Sequence, residues 1–144
     1  MTNQEEENKE LLRLLADKKN KTVIKKITSS KDYKKNPFKL AVLAQAYGSM
    51  NDLFKAIQTY NDSLKLYENP EIRLLLIDAL LRSQNIIKAK NELEKLNPHQ
   101  LEKTTSLINF AKLHATVGNN DKSTELFEKI RKQLIDNNII KDDL

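Results

Sequence analysis

Residues Leu43–Tyr60 read LAQAYGSMNDLFKAIQTY, and the chain repeats them. They align without gaps with Leu76–Leu93, LIDALLRSQNIIKAKNEL, sharing Leu43/Leu76, Ala46/Ala79, Lys55/Lys88 and Ala56/Ala89 and pairing Tyr60 with Leu93. A third copy, FAKLHATVGNNDKSTELF (Phe110–Phe127), puts Ser123 in the alanine position. A weaker upstream copy places Val23 there, with Leu14 under Tyr47 and Ile27 under Tyr60. The four positions Val23, Ala56, Ala89 and Ser123 are evenly spaced to within a single residue. A fixed period of this length is the mark of stacked supersecondary units.

Inside each copy the apolar residues recur at helical spacing. Leu40, Leu43, Ala44 and Tyr47 form one stripe. After a polar break at Ser49–Asp52 a second stripe follows, with Leu53, Ala56, Ile57, Tyr60, Leu64 and Tyr67. Asn51 or Asp52 is the expected N-cap of the second helix, and Asn119–Asp121 serve likewise after Gly118. Each copy therefore reads as a helix–turn–helix hairpin. The small residue in the alanine position is where the second helix crosses the first closely, so that a larger side chain would push the backbones apart.

Working outward, composition agrees. The 144 residues contain only two Gly and three Pro, too few turn formers for an all-β fold, and no Cys. Neither a disulfide framework nor a thiolate metal site is possible. No stretch approaches the ~20 consecutive apolar residues of a membrane span. The acidic, polar start MTNQEEE is unlike a secretory leader, so a soluble, cytoplasmic protein with no membrane span is expected.

The copy from Pro37, with Leu40, Leu43, Ala44, Tyr47, Ala56, Tyr60 and Pro70 at its end, resembles the tetratricopeptide repeat (TPR) family. The copy from Pro70 keeps Leu76, Leu80, Ala89 and Leu93. The copy from Thr104 keeps Leu107, Phe110, Ala111, Gly118 and Phe127 but carries His114 in the tyrosine position. The resemblance implies an all-α superhelical array of about four hairpins in a single domain. Its repeats run 4–36 (degenerate), 37–69, 70–103 and 104–137, followed by a 138–144 tail in which Ile139 and Ile140 serve as a minimal cap.

It further implies an adaptor, scaffold or chaperone-like module that holds a protein or peptide on the concave face lined by the first helix of each hairpin. Projected onto this chain, that groove is Phe38, Ala41, Gln45, Leu74, Asp78, Leu81, Arg82, Ile108 and Lys112. Leu74, Leu81 and Ile108 would supply apolar area there, and Asp78, Arg82 and Lys112 would fix register. For Leu74 and Leu81, ordinary inter-repeat packing is an equal reading. The subclass that clamps chaperone tails uses Lys and Asn, whereas this chain has Ala41, Gln45, Leu75, Thr105 and Asn109 at those positions, which disfavours that clamp. An uncovered last hairpin would leave apolar surface for a homodimer.

Charge suggests a second class of partner. From Lys9 to Lys39 eleven basic residues face three acidic ones, a local excess of +8 against a chain total of +5. Lys18, Lys19, Lys21, Lys25, Lys26, Lys34 and Lys35 form a basic patch suited to nucleic acid or an anionic surface. Lysines that simply keep a terminal hairpin soluble are the favoured alternative. Nucleic acid ranks behind protein as a partner, because stacking aromatics and base-reading arginines are scarce in this segment.

Nothing converges for catalysis. His99 and His114 are far apart in sequence, and the two glycines are isolated, so no phosphate loop exists. His99, after Pro98, reads as solvated, and His114, in a structural position of its repeat, reads as packed. The expectation is a binding protein with no cofactor, no metal and no enzymatic activity.

Overall fold

The structure, a computed structural model, describes residues 2–137, and among these the regular elements are all helical. Contacts cluster into two compact units, Met1–Asn85 and Ile86–Leu144. The first unit holds α1 (Asn3–Ala16), α2 (Asn20–Thr28), α3 (Pro37–Ser49), α4 (Leu53–Leu66) and α5 (Pro70–Arg82). The second holds α6 (Ile86–Lys95), α7 (Thr104–Thr116) and α8 (Asn120–Asp136). No described helix is long and apolar enough to cross a membrane.

Helices α3, α5 and α7 begin at Pro37, Pro70 and Thr104, the positions where the sequence sets the repeat boundaries. Proline suits a first helical position because the amide it lacks would have no intrahelical partner there. The asparagines before Pro37 and Pro70 cap those helices. Asn36 accepts from the Lys39 amide at 3.1 Å and Asn69 from the Glu71 amide at 3.0 Å. The third Asn-Pro pair behaves differently. Asn97 and Gln100 close a reciprocal capping box over a 3₁₀ turn, Pro98–Gln100, before α7 starts.

Four interhelical turns share one geometry. The residue after each helix C-cap is left-handed: Lys18 (φ 60°), Asn51 (φ 62°), Gln84 (φ 67°) and Gly118 (φ 91°). Each stands five positions before the alanine slot of its own repeat, so the turn and the slot share one period. In each turn the next amide bonds back to the third-last helical carbonyl: Lys19 to Leu14 (2.9 Å), Asp52 to Tyr47 (2.9 Å), Asn85 to Leu80 (2.8 Å) and Asn119 to His114 (2.8 Å). The left-handed residue bonds to the carbonyl that follows, giving a Schellman closure four times over. Lys19, Asp52 and Asn119 then occupy the N-cap of the next helix. Asp52, one of the two expected caps, accepts from the Lys55 amide at 3.3 Å, while Asn51 takes the left-handed position. The first hairpin, degenerate in sequence, has the same turn as the others.

One helical turn further along lies the alanine slot, where Val23, Ala56 and Ala89 are fully buried and Ser123 nearly so. In the first unit a core of Leu11, Val23, Ile27, Val42, Leu43 and Ala46 joins α1 and α2 to α3. The Ser63 hydroxyl donates to the Pro37 carbonyl at 2.8 Å, tying α4 to the start of α3. In the second unit α7 and α8 pack together, and Phe110, Ala111, His114, Leu126 and Ile130 are buried. Phe110 is 0 % exposed, so truncating it to alanine costs about 3–5 kcal/mol. Phe127, set by the repeat alongside the buried Tyr60 and Leu93, remains 38 % exposed on α8. The cap assigned to Ile139 and Ile140 lies outside the described residues.

Candidate functional site

The face expected to form a groove is only partly available. On α3, Ala41 is buried, Gln45 is half-buried, and the half-buried Phe38 packs against the core of the first hairpin. On α5, Leu74 is 5 % exposed and offers little apolar surface, Leu81 is half-buried, and Asp78 is exposed. Arg82 has a structural role. Its guanidinium donates to the Gly48 carbonyl at 2.9 Å and reaches Asn51 Oδ1 at 3.5 Å and the Asp78 carboxylate at 3.9 Å. A cation over the last carbonyls of α3 complements that helix's dipole. Burial first, then the charge of Asp78, push the neighbouring Tyr60 phenol well above its ordinary range. In the second unit, the half-buried Ile108 and the exposed Lys112 lie one turn apart on α7.

A better-formed concavity lies on another side of α3. Helix α2 is nine residues long and stops at Thr28, whereas α4 runs fourteen residues to Leu66. Past the end of α2 the chain makes a 3₁₀ turn, Tyr33–Lys35. An open cleft of about 430 Å³ results. Leu40, Leu43 and Tyr47 of α3 line it together with Thr59, Asp62, Lys65 and Leu66 of α4 and Tyr33 and Lys34 of the turn. Leu40 and Leu43 are almost covered, while Leu66 is 47 % exposed at the edge. Thr59 Oγ1 is already committed to the Lys55 carbonyl at 2.7 Å, and the Lys55 ammonium sits 5.5 Å from the centre of the Tyr47 ring. Lys34, Lys65 and Asp62 are exposed and make no ion pair among the described residues. Sequence reading misses this cleft. It takes Leu40, Leu43 and Tyr47 as hairpin packing, and the early end of α2 at Thr28 leaves no mark in the repeat pattern.

The basic excess of the first hairpin is smaller at the surface than in the sequence. Lys39 is a core residue whose ammonium lies 3.0 Å from Glu7 and 2.8 Å from Ser30 Oγ. Arg13 is held by Glu10 at 2.8 Å and approaches Asp17 at 3.8 Å. The hydrogen bond between them lowers the Glu10 carboxyl below the usual range and raises the Arg13 guanidinium. The patch residues Lys18, Lys19, Lys21, Lys25, Lys26, Lys34 and Lys35 are all exposed.

Among the described residues no three His, Asp or Glu side chains gather as metal ligands would. His99 is exposed in its 3₁₀ turn. His114 is 4 % exposed, stacked edge-on against Phe110 at 4.6 Å, with Nδ1 3.0 Å from the Asn119 side-chain amide and Nε2 buried without a partner. Burial chiefly, then the charge of Lys122, pull its pKa below the ordinary value against a smaller opposing effect of Glu94. No family model matches the sequence, and no curated protein aligns with it.

Proposed function

We propose that this chain is a TPR-like helical-repeat protein that binds a segment of another protein as a scaffold or adaptor, without catalysis, and that the segment sits in the cleft between the Tyr33–Lys35 turn and α4. Two observations support the repeat part. The left-handed turn recurs with the same period as the alanine slot, at Lys18, Asn51, Gln84 and Gly118. Within the first unit α1 touches α3, α3 touches α5, and each of α2 and α4 touches the helix that follows it, the contact order of stacked hairpins.

The observation that carries the binding part is the cleft itself. It combines the half-buried rings of Tyr33 and Tyr47 over the covered Leu40 and Leu43, an exposed apolar edge (Leu66) and unpaired charges at the rim (Lys34, Lys65, Asp62). That combination suits a short segment with one or two apolar anchors flanked by an acidic residue. The face formed by Gln45, Asp78, Leu81 and Arg82 ranks second, because its Leu81 is half-buried where the cleft edge has the exposed Leu66, and its Arg82 is committed to the Gly48 carbonyl.

Selection of displayed peptides against the wild-type chain tests this reading. Enriched peptides are expected to carry an apolar–acidic pattern and to lose at least about tenfold in affinity to Leu66→Asp, since one lost anchor is worth over about 1.4 kcal/mol. Asp78→Ala should bind them unchanged. Enrichment that is blind to Leu66→Asp and sensitive to Asp78→Ala would move the site to the second face.

A further inference from the structure

The end of the first unit that carries the α1–α2 and α3–α4 turns combines two features that neither packing nor the cleft accounts for. Phe54, in the first turn of α4, is 79 % exposed, and Met50, on the other side of the same short turn, is 44 % exposed. Large apolar side chains this open are normal when scattered, but here Met50 adjoins a cluster of cations and Phe54 follows it across one short turn. Met50 shares an open depression of about 310 Å³ with Lys18, Lys19, Asn20, Lys21 and Thr22. Lys21 and Phe54 hold the same position in their hairpins, the second residue of the second helix. Lys18, Lys19 and Lys21 form no ion pair among the described residues. The two carboxylates at this end are engaged elsewhere, Asp17 facing Arg13 at 3.8 Å and Asp52 capping α4 and facing Lys55 at 3.9 Å.

Protruding apolar side chains beside unpaired lysines match the two layers of an anionic bilayer surface. The rings and thioethers reach the acyl boundary while ammonium groups stay among the headgroup phosphates. A nucleic acid would use the lysines and could stack one base on Phe54, but a strand platform needs successive rings and Met50 offers none. We propose that this end of the first unit docks on the surface of an anionic lipid bilayer, with Phe54 and Met50 entering the interface and Lys18, Lys19 and Lys21 pairing with lipid phosphates. This surface is separate from the cleft and stands or falls without it.

The chain has no tryptophan, so Phe54→Trp supplies a single reporter at the proposed contact. With phosphatidylcholine–phosphatidylserine vesicles its emission should shift to the blue, and with phosphatidylcholine alone it should not move. In co-sedimentation with the mixed vesicles, Lys18→Ala/Lys19→Ala/Lys21→Ala should bind on the order of a hundredfold more weakly, at about fivefold per lysine near the surface. Met50→Ser/Phe54→Ser should lose about tenfold or more through the lost apolar burial. Tyr67→Ser, which removes an exposed ring at the opposite end of α4 in the same unit, should bind as wild type. All five positions of the two multiple variants are exposed, and circular dichroism verifies their fold. Emission unmoved by the mixed vesicles would overturn the proposal, as would wild-type retention of Met50→Ser/Phe54→Ser. Binding of a single-stranded oligonucleotide that needs the three lysines, with no vesicle binding, would reassign the surface to nucleic acid.

Discussion

His114 shows how one substitution in a repeat position changes what the fold responds to. Its equivalents are Leu14, Tyr47 and Leu80, and only here does the slot hold a group that titrates near neutrality. The folded environment lowers its pKa, so on acidification the unfolded chain takes up the proton first. The contribution to stability is therefore complete above the ordinary value of 6.5 and is lost as pH falls from there toward the depressed folded value. Denaturant unfolding of wild type beside His114→Leu, at neutral pH and at about pH 5, isolates this effect, because all other groups are shared. Wild type should lose more stability than the variant over that interval, and parallel losses would show that His114 is not responsible. The sequence alone marks His114 as a packed histidine. Its unpartnered Nε2 is beyond sequence reading, since that depends on which side chains of α8 and the neighbouring loop cover it.

At the scale of the element, the recurrent turn is the feature that period and structure share. Its existence is legible from the alanine slot, because a small residue at a constant step fixes where two helices cross. Its left-handed residue is not, because Lys18, Asn51, Gln84 and Gly118 have no letter in common and only glycine advertises that conformation. A β-carbon at positive φ costs about 1 kcal/mol or more outside glycine and asparagine. Gln84→Gly should therefore stabilise the chain by about 1 kcal/mol, and Gly118→Ala should destabilise it by a similar amount. Nothing lies within 4 Å of a β-carbon built on Gly118, so the second effect is one of backbone conformation alone. Thermal unfolding checks both, and an unchanged midpoint for Gly118→Ala would mean that this turn relaxes to accept the side chain. Gly48 is the contrast. It lies inside α3 with ordinary 3.8 Å contacts awaiting a methyl group, so its smallness is not required by the turn.

For the molecule as a whole, periodicity locates the helices and their order, whereas the candidate site depends on differences between repeats that periodicity averages away. The expected groove comes from treating every hairpin alike, and burial then removes Ala41 and Leu74 from it. The cleft exists because α2 is shorter than α4, and nothing in a shared motif records that inequality. Charge misleads for a related reason: composition counts Lys39 with the surface lysines, although it is folded inward onto Glu7 and Ser30. The most direct test of a cleft-bound protein segment is a backbone amide NMR titration of the isotope-labelled chain with a peptide from the selection described above. Shifts are expected at Tyr33, Lys34, Tyr47, Asp62, Lys65 and Leu66, with Asp78, Arg82, Ile108 and Lys112 unmoved. Shifts confined to Gln45, Asp78, Leu81 and Arg82, with the cleft residues silent, would contradict it.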